Sequence, residues 1–409
     1  MKLYRSAFGL ALLASILWCP ASGATQTGST QRKRPAAGET SQQSSAEFKK
    51  LTKQADAARE AGNLEEAIKL YNEALRLKQD WVEGWWYLGS IFYDRDRYPE
   101  AKEALRNLIS IQEKNGPAWV LLGLCEIQLR NYDNALSDIQ YGRSLGLGEN
   151  KEFTNVARFN GGVLMTRAGM FELGYEPLRD LAREGNESLS LIEAMGLNAL
   201  RMPMLPAEMP PERREALLLA GRAAFYQAVR RIEDAQRSYK ELATRYGDVP
   251  NVHYAYGVFL LTDTPDLAIE EFQRELKNSP SHVESMLQIA FEYIKRNDFE
   301  AARPFAEQAA DKAPTLFAAH NALGRVLLEL GKVDEAIREL ELGVRQAPDS
   351  PEMRFALARA YARANRKEDA ARERAKFLEL DKQMRVLREG VPSVNGAQQK
   401  PSDKSPPRQ

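Results

Sequence analysis

The side chains that could carry chemistry are few and widely spaced. The chain of 409 residues has three histidines, His253, His282 and His320, far from one another along the sequence. A metallohydrolase helix needs two histidines on one face, as in H-E-x-x-H, and a structural zinc needs close cysteine pairs. Neither pattern is present, and the phosphate-binding P-loop is absent too. Gly146-Leu147-Gly148 and Gly161-Gly162 resemble phosphate cradles only in composition, because no Lys-Ser or Lys-Thr follows either pair. The first reads as a turn and Gly162 as a small residue within a helix. His320 stands where its amphipathic helix needs a large side chain, so it reads as packed core. Carboxylates are plentiful but recur at helix-surface and cap positions. The sequence therefore names no catalytic residue, no cofactor and no metal ligand. A hydrolase would need two carboxylates brought together by the fold, which spacing does not reveal.

Composition narrows the class further. Lys and Arg balance Asp and Glu at 57 each, but residues 47–390 carry 49 basic against 55 acidic groups, a net −6. That balance argues against nucleic acid as the main partner. Residues 1–23 read as a signal peptide: Lys2 and Arg5 precede an apolar run from Ala7 to Trp18, and Ala21-Ser22-Gly23 forms a small-residue cleavage site. The run is short for a bilayer span, so no stable membrane insertion of the mature chain is expected. The expected location is periplasmic or secreted. Only Cys125 would survive cleavage, which excludes an internal disulfide, and its place among Leu121, Leu122 and Leu124 predicts a buried thiol. Residues 24–46, rich in Ser, Thr, Gln and Gly, read as a disordered linker, and 391–409, with Pro392, Pro401, Pro406 and Pro407, as a disordered tail.

The rest of the chain is helical and periodic. Trp85, Leu88, Gly89 and Phe92 fall at i, i+3, i+4 and i+7, one face of a helix. Ala101, Leu105 and Leu108 begin a second such face. A small residue opposite a large one lets two helices approach closely, so Gly89 and Ala101 mark contacts. The same phase recurs in 48–81 (Ala55, Ala67, Tyr71), in 116–149 (Leu122, Gly123, Ala135, Ile139) and, degenerately, in 155–188 (Gly162, Gly174, Leu178). It returns at 216–249 (Ala223, Ala235, Tyr239) and in four regular units marked by Gly257, Ala290, Gly324 and Ala358. Pro280, Pro314 and Pro348 are evenly spaced at the same period, each ending a second helix.

The run W-x2-L-G-x2-F followed by A-x3-L resembles the tetratricopeptide repeat, a helix–turn–helix unit of about 34 residues. That resemblance implies an all-α, right-handed solenoid of antiparallel helix pairs with flexible ends. Ile192, Met195 and Gly196 mark an orphan first helix whose second helix is replaced by a proline-rich loop, 203–211. The loop is expected to part an N-terminal array (47–202) from a C-terminal array (212–390). Glu373 to Arg388 reads as a capping helix over the exposed end of the stack.

The resemblance also implies a function. Its members bind protein segments along the groove lined by their first helices. Carried onto this sequence, the groove positions are Trp86, Tyr93, Val120, Leu124, Ile127, Phe159, Val163, Tyr254 and Phe291, then the basic Lys295, Arg325, Arg359 and Arg363. Trp85, about 100° round the helix from Trp86, belongs to the core face. No repeat has both the Lys and the Asn with which some co-chaperone relatives clamp a terminal carboxylate. The expected role is a scaffold for a protein or peptide segment, with oligomeric state open. An accessory subunit of a cell-envelope complex and a groove hydrolase are the alternatives.

Overall fold

In the computed structural model residues 37–389 are described, with side chains over 43–385. The stretch read as a signal peptide (1–23), residues 24–36 of the expected linker and the 391–409 tail lie outside the described residues. Every regular element among the described residues is helical. The chain divides into two compact units at Gly247/Asp248.

Unit one contains α1 (Ala37–Glu60) with α2 (Leu64–Leu77), α3 (Val82–Asp94) with α4 (Tyr98–Ile111), and α5 (Gly116–Gln128) with α6 (Tyr132–Leu145). These are followed by α7 (Lys151–Arg167) with α8 (Phe171–Arg183), then α9 (Leu189–Ala199), α10 (Arg214–Ala228) and α11 (Ile232–Tyr246). Unit two contains α12 (Val252–Leu260) with α13 (Pro265–Asn278), α14 (Val283–Lys295) with α15 (Phe299–Lys312), α16 (Phe317–Glu329) with α17 (Val333–Gln346), and α18 (Pro351–Arg363) with α19 (Lys367–Glu389).

In most pairs the approach is set by a contact between a small residue of the first helix and a large one of the second. A Cβ built on Gly89 would lie 2.9 Å from Leu105 Cγ, and one on Gly123 would lie 2.7 Å from Ile139 Cγ1. The same holds at Gly162 against Leu178 (2.9 Å), Gly257 against Phe272 (2.5 Å) and Gly324 against Leu340 (2.5 Å). The turn between the two helices repeats as well. Its middle residue is left-handed: Gly62, Asp96, Arg130, Gly169 and Arg230 in unit one, Asn297, Gly331 and Asn365 in unit two. The next amide reaches back into the first helix, as Arg97 N–H does to Phe92 O at 2.8 Å and Lys332 N–H to Leu327 O at 2.9 Å, which caps the helix end. Second helices then open on acids such as Glu66, Glu100, Asp234, Glu335 and Asp369, favoured by the helix dipole. Arg97 stacks on Phe92 and pairs with Glu100; Arg231 with Tyr226 and Asp234, and Arg366 with Tyr361 and Asp369, repeat the arrangement.

Four sequence expectations are corrected. Helix α1 begins at Ala37, so the last part of the 24–46 linker is helical; a helix nucleated by packed residues extends at little further cost. Helix α9 is not an orphan. It packs on α10, where Gly196 lies against Leu217 and Gly221 against Ile192, so α10 serves both α9 and α11. The 203–211 segment is not an open loop between arrays: it holds one 3-10 turn, Pro206–Glu208, leads into a second, Pro211–Arg213, and buries Leu205, Pro206 and Met209, with Leu205 N–H bonded to Glu208 Oε2 at 2.8 Å. The division at Gly247/Asp248 lies well beyond it. Finally, 373–388 is no separate cap but the continuation of α19, the partner of α18.

Two substitutions test this packing. Gly89→Leu should cost about 1–3 kcal/mol by overpacking against Leu105. Arg130→Gly should gain about 0.5–1 kcal/mol by relieving a left-handed side-chain-bearing residue. Urea unfolding midpoints read both, and a reversed sign at either site contradicts the assigned contacts.

Candidate partner-binding surface

The predicted groove residues do not share one environment. Val120, Leu124, Ile127, Phe159, Val163 and Tyr254 are buried. Val120 faces Gly142 of the partner helix, Phe159 and Val163 join the core that includes Leu191 and Met195, and Tyr254 packs its ring near Phe272 and His282. These six therefore do not form part of an open apolar row. First helices packed by neighbours on both sides leave little of such positions uncovered. Trp86, Tyr93 and Phe291 are half-buried. Trp85 packs against the core that includes Leu88 and Phe92 but is only half-buried, and its indole N–H donates to Gln79 O at 2.8 Å.

The basic residues come together in unit two. Helices α14, α16 and α18 are neighbours, and residues one repeat apart on them form three rows: Leu287–Asn321–Phe355, Phe291–Arg325–Arg359 and Lys295–Glu329–Arg363. Glu329 ties the last two rows. Its Oε1 accepts from Arg359 Nη2 at 2.8 Å and its Oε2 from Arg363 Nη2 at 2.6 Å, while Arg363 Nη1 donates to Leu328 O. Burial alone would raise the Glu329 carboxyl, but Arg363 and Arg359 outweigh it and hold it below the ordinary range. Lys295 Nζ lies 3.6 Å from Glu292. Arg325 is half-buried and takes part in no ion pair among the described residues. Sequence reasoning missed Asn321, whose buried Oδ1 has no hydrogen-bond partner among the described residues, and Phe355, 46% exposed beside Phe377. Moving by one repeat, and then another, from Leu287 would have found both.

The histidines act as structural tethers. His282 Nδ1 accepts from Ser285 N–H at 3.1 Å, so its proton sits on Nε2, which donates to Asn251 Oδ1 at 2.8 Å. His253 Nδ1 meets Glu271 at 2.6 Å. His320 is buried, as expected, between Glu339 Oε2 (2.7 Å) and Pro314 O (2.9 Å).

Two carboxyls influence one another elsewhere, Glu126 and Asp138. Glu126 is buried, and its Oε1 takes Lys102 at 2.7 Å while its Oε2 accepts from Asn131 at 2.8 Å. Burial first, and the Glu126 charge second, push the Asp138 carboxyl up to about 6. The same two causes push the buried Cys125 thiol up to about 12, which makes it a poor nucleophile. Both Glu126 oxygens are committed to structural partners, so Glu126 ties α5 to α4 and to the residue that precedes α6. Among the described residues no cluster of His, Cys, Asp or Glu is arranged to hold a metal ion, and no helix is long and apolar enough to cross a membrane.

Asp138 supplies a pH test. A carboxyl raised in the folded state favours folding when protonated, and that contribution fades as pH rises from its unfolded value towards about 6. Asp138→Asn should therefore raise the melting temperature at pH 7 and leave it nearly unchanged at pH 4. A parallel pH profile for both proteins would refute the assignment.

A tetratricopeptide repeat model matches residues 88–141 and 218–283, another matches 293–354, and a TPR repeat model matches 55–94. The human protein O-mannosyl-transferase TMTC3 is 24% identical over 249 residues, 58% of this chain. The aligned region covers 27% of that protein, so the chain spans about a quarter of its length. Among solved structures, MamA from Desulfovibrio magneticus RS-1 is 24% identical, covering 41% of this chain and 96% of its own, with a TM-score of 0.37. YrrB, a TPR protein with an unusual peptide-binding site, is 17% identical over 44% of this chain and 93% of its own, also at 0.37. With repeat models matching residues 55–141, 218–283 and 293–354, and helices throughout the stretches between and beside them, the chain belongs to the tetratricopeptide repeat family.

Proposed function

We propose that the protein is an exported, non-catalytic scaffold, periplasmic or secreted, that holds a segment of a partner protein on the first-helix face of unit two. The observation that carries this reading is the grid on α14, α16 and α18. There an uncommitted Arg325 occupies a position next to those of Phe291 and Phe355, with the unpartnered Oδ1 of Asn321 one helical turn away. Such a face suits a segment that offers a carboxylate to Arg325 and apolar side chains to the two rings. The net charge of residues 47–390 disfavours nucleic acid as the partner. Export rests on residues 1–23 alone, and an accessory subunit of an envelope complex would present this same face to its neighbours.

Affinity capture from the exported fraction, with wild type and with Arg325→Glu/Arg359→Glu as bait, tests the surface. A specific partner should be lost with the variant, in line with about 2–5 kcal/mol for breaking buried charge pairs. Capture of the same proteins by both baits would remove this face from the account. N-terminal sequencing of the exported protein should begin near Ala24 or Thr25, and finding Met1 there would overturn cleavage.

A further inference from the structure

Two successive repeats of unit one carry the same indole buttress. Trp85 Nε1–H donates to Gln79 O at 2.8 Å, and Trp119 Nε1–H donates to Glu113 O at 2.7 Å, each to a carbonyl on the turn just before its helix. In the later repeat Tyr141 closes edge-on over the indole, with ring centroids 5.0 Å apart and planes at 87°. The residue one repeat before Tyr141 is Asn107, too short to cover Trp85. An open cleft of about 550 Å³ remains, lined by Trp85, Asn72, Arg76, Gln79, Asp80 and Asn107, with Leu75 and Ile111 beside them.

We propose that this cleft is a binding site for a neutral oligosaccharide. A hexopyranose has one face of C–H groups and an edge of hydroxyls, each of which donates and accepts. The half-buried indole offers a flat apolar surface, held in one orientation by its bond to Gln79. Around it stand groups of complementary capacity: amides that donate and accept, a carboxylate that only accepts and a guanidinium that only donates. Asn72 Nδ2 is committed to Ile68 O at 2.8 Å, which leaves its Oδ1 as an acceptor. Arg76 and Asp80 are both exposed and cancel in charge, so the cleft favours neither a phosphate nor an ammonium group. A wholly apolar ligand would cover these polar groups without replacing their bonds to water, at a cost. The volume falls in the range of small-molecule sites and exceeds what a single sugar ring fills. The site lies in unit one and stands independently of the protein-binding face in unit two.

The test uses the full chain and four probes: maltotriose, cellotriose, mannotriose and triacetylchitotriose. Calorimetry and tryptophan emission are read in parallel. At least one probe should bind with a dissociation constant of about 1 mM or below and shift the emission. Asn107→Tyr, which copies the Tyr141 closure, should weaken that binding about tenfold or more while the thermal melt stays unchanged. Asp80→Ala, at an exposed loop position, should weaken it as well and provides a second reading if the tyrosine disturbs folding. Absence of heat and emission change with all four probes at about 20 mM overturns the proposal, as does binding that both variants leave intact.

Discussion

The structure depends on one contact, a glycine of a first helix seated against a large side chain of the second. Gly89 on Leu105, Gly123 on Ile139, Gly162 on Leu178 and Gly324 on Leu340 share one separation along the chain, and Gly257 on Phe272 is a single position shorter. Close approach at that point leaves no room for a Cβ, so the crossing of the two helices is set by sterics rather than by propensity. The left-handed turn residue then falls between the two contacts and returns the chain. Once each pair is fixed, successive first helices of unit two lie beside one another at a constant register. This is what aligns Phe291, Arg325 and Arg359 into a row.

Buried charge adds what apolar packing lacks, a defined partner. Glu275 is fully buried on α13 and accepts the Asn251 and Tyr254 amides at the start of α12, at 2.9 and 3.3 Å. Glu373 on α19 holds Arg354 of α18 at 2.7 Å, and Glu126 gathers Lys102 and Asn131. Removing one member of such a pair strands the other, a loss of about 3–5 kcal/mol. The three histidines belong to the same class of tether. They lie about a repeat apart because they serve successive helix starts, not because they share a site.

Much of the fold was legible because its signal is local and repeated. The phase of Gly89, Gly123 and Gly324, the proline spacing and the acid at each second-helix start all reappear as contacts, turns and caps. What was not legible depends on neighbours distant in sequence. The proline run 203–211 forbids a long helix, yet nothing in it shows that α10 would take over as the partner of α9. The groove positions were carried over by register, and register does not reveal whether a neighbouring element covers them. Val120 and Phe159 are buried, whereas Arg325 keeps part of its surface open. Trp85 packs against the core, as its spacing with Leu88 implies, yet it also lines an open cleft beside Asn107, which spacing alone does not reveal.

A stack held by contacts within and between adjacent pairs should lose order locally when one contact is spoiled. Hydrogen exchange by mass spectrometry on Gly324→Val tests this claim directly. Exchange should be faster in α16, α17 and the helices beside them, with protection in α1 to α6 unchanged. A uniform loss of protection through both units, or none anywhere, would contradict it.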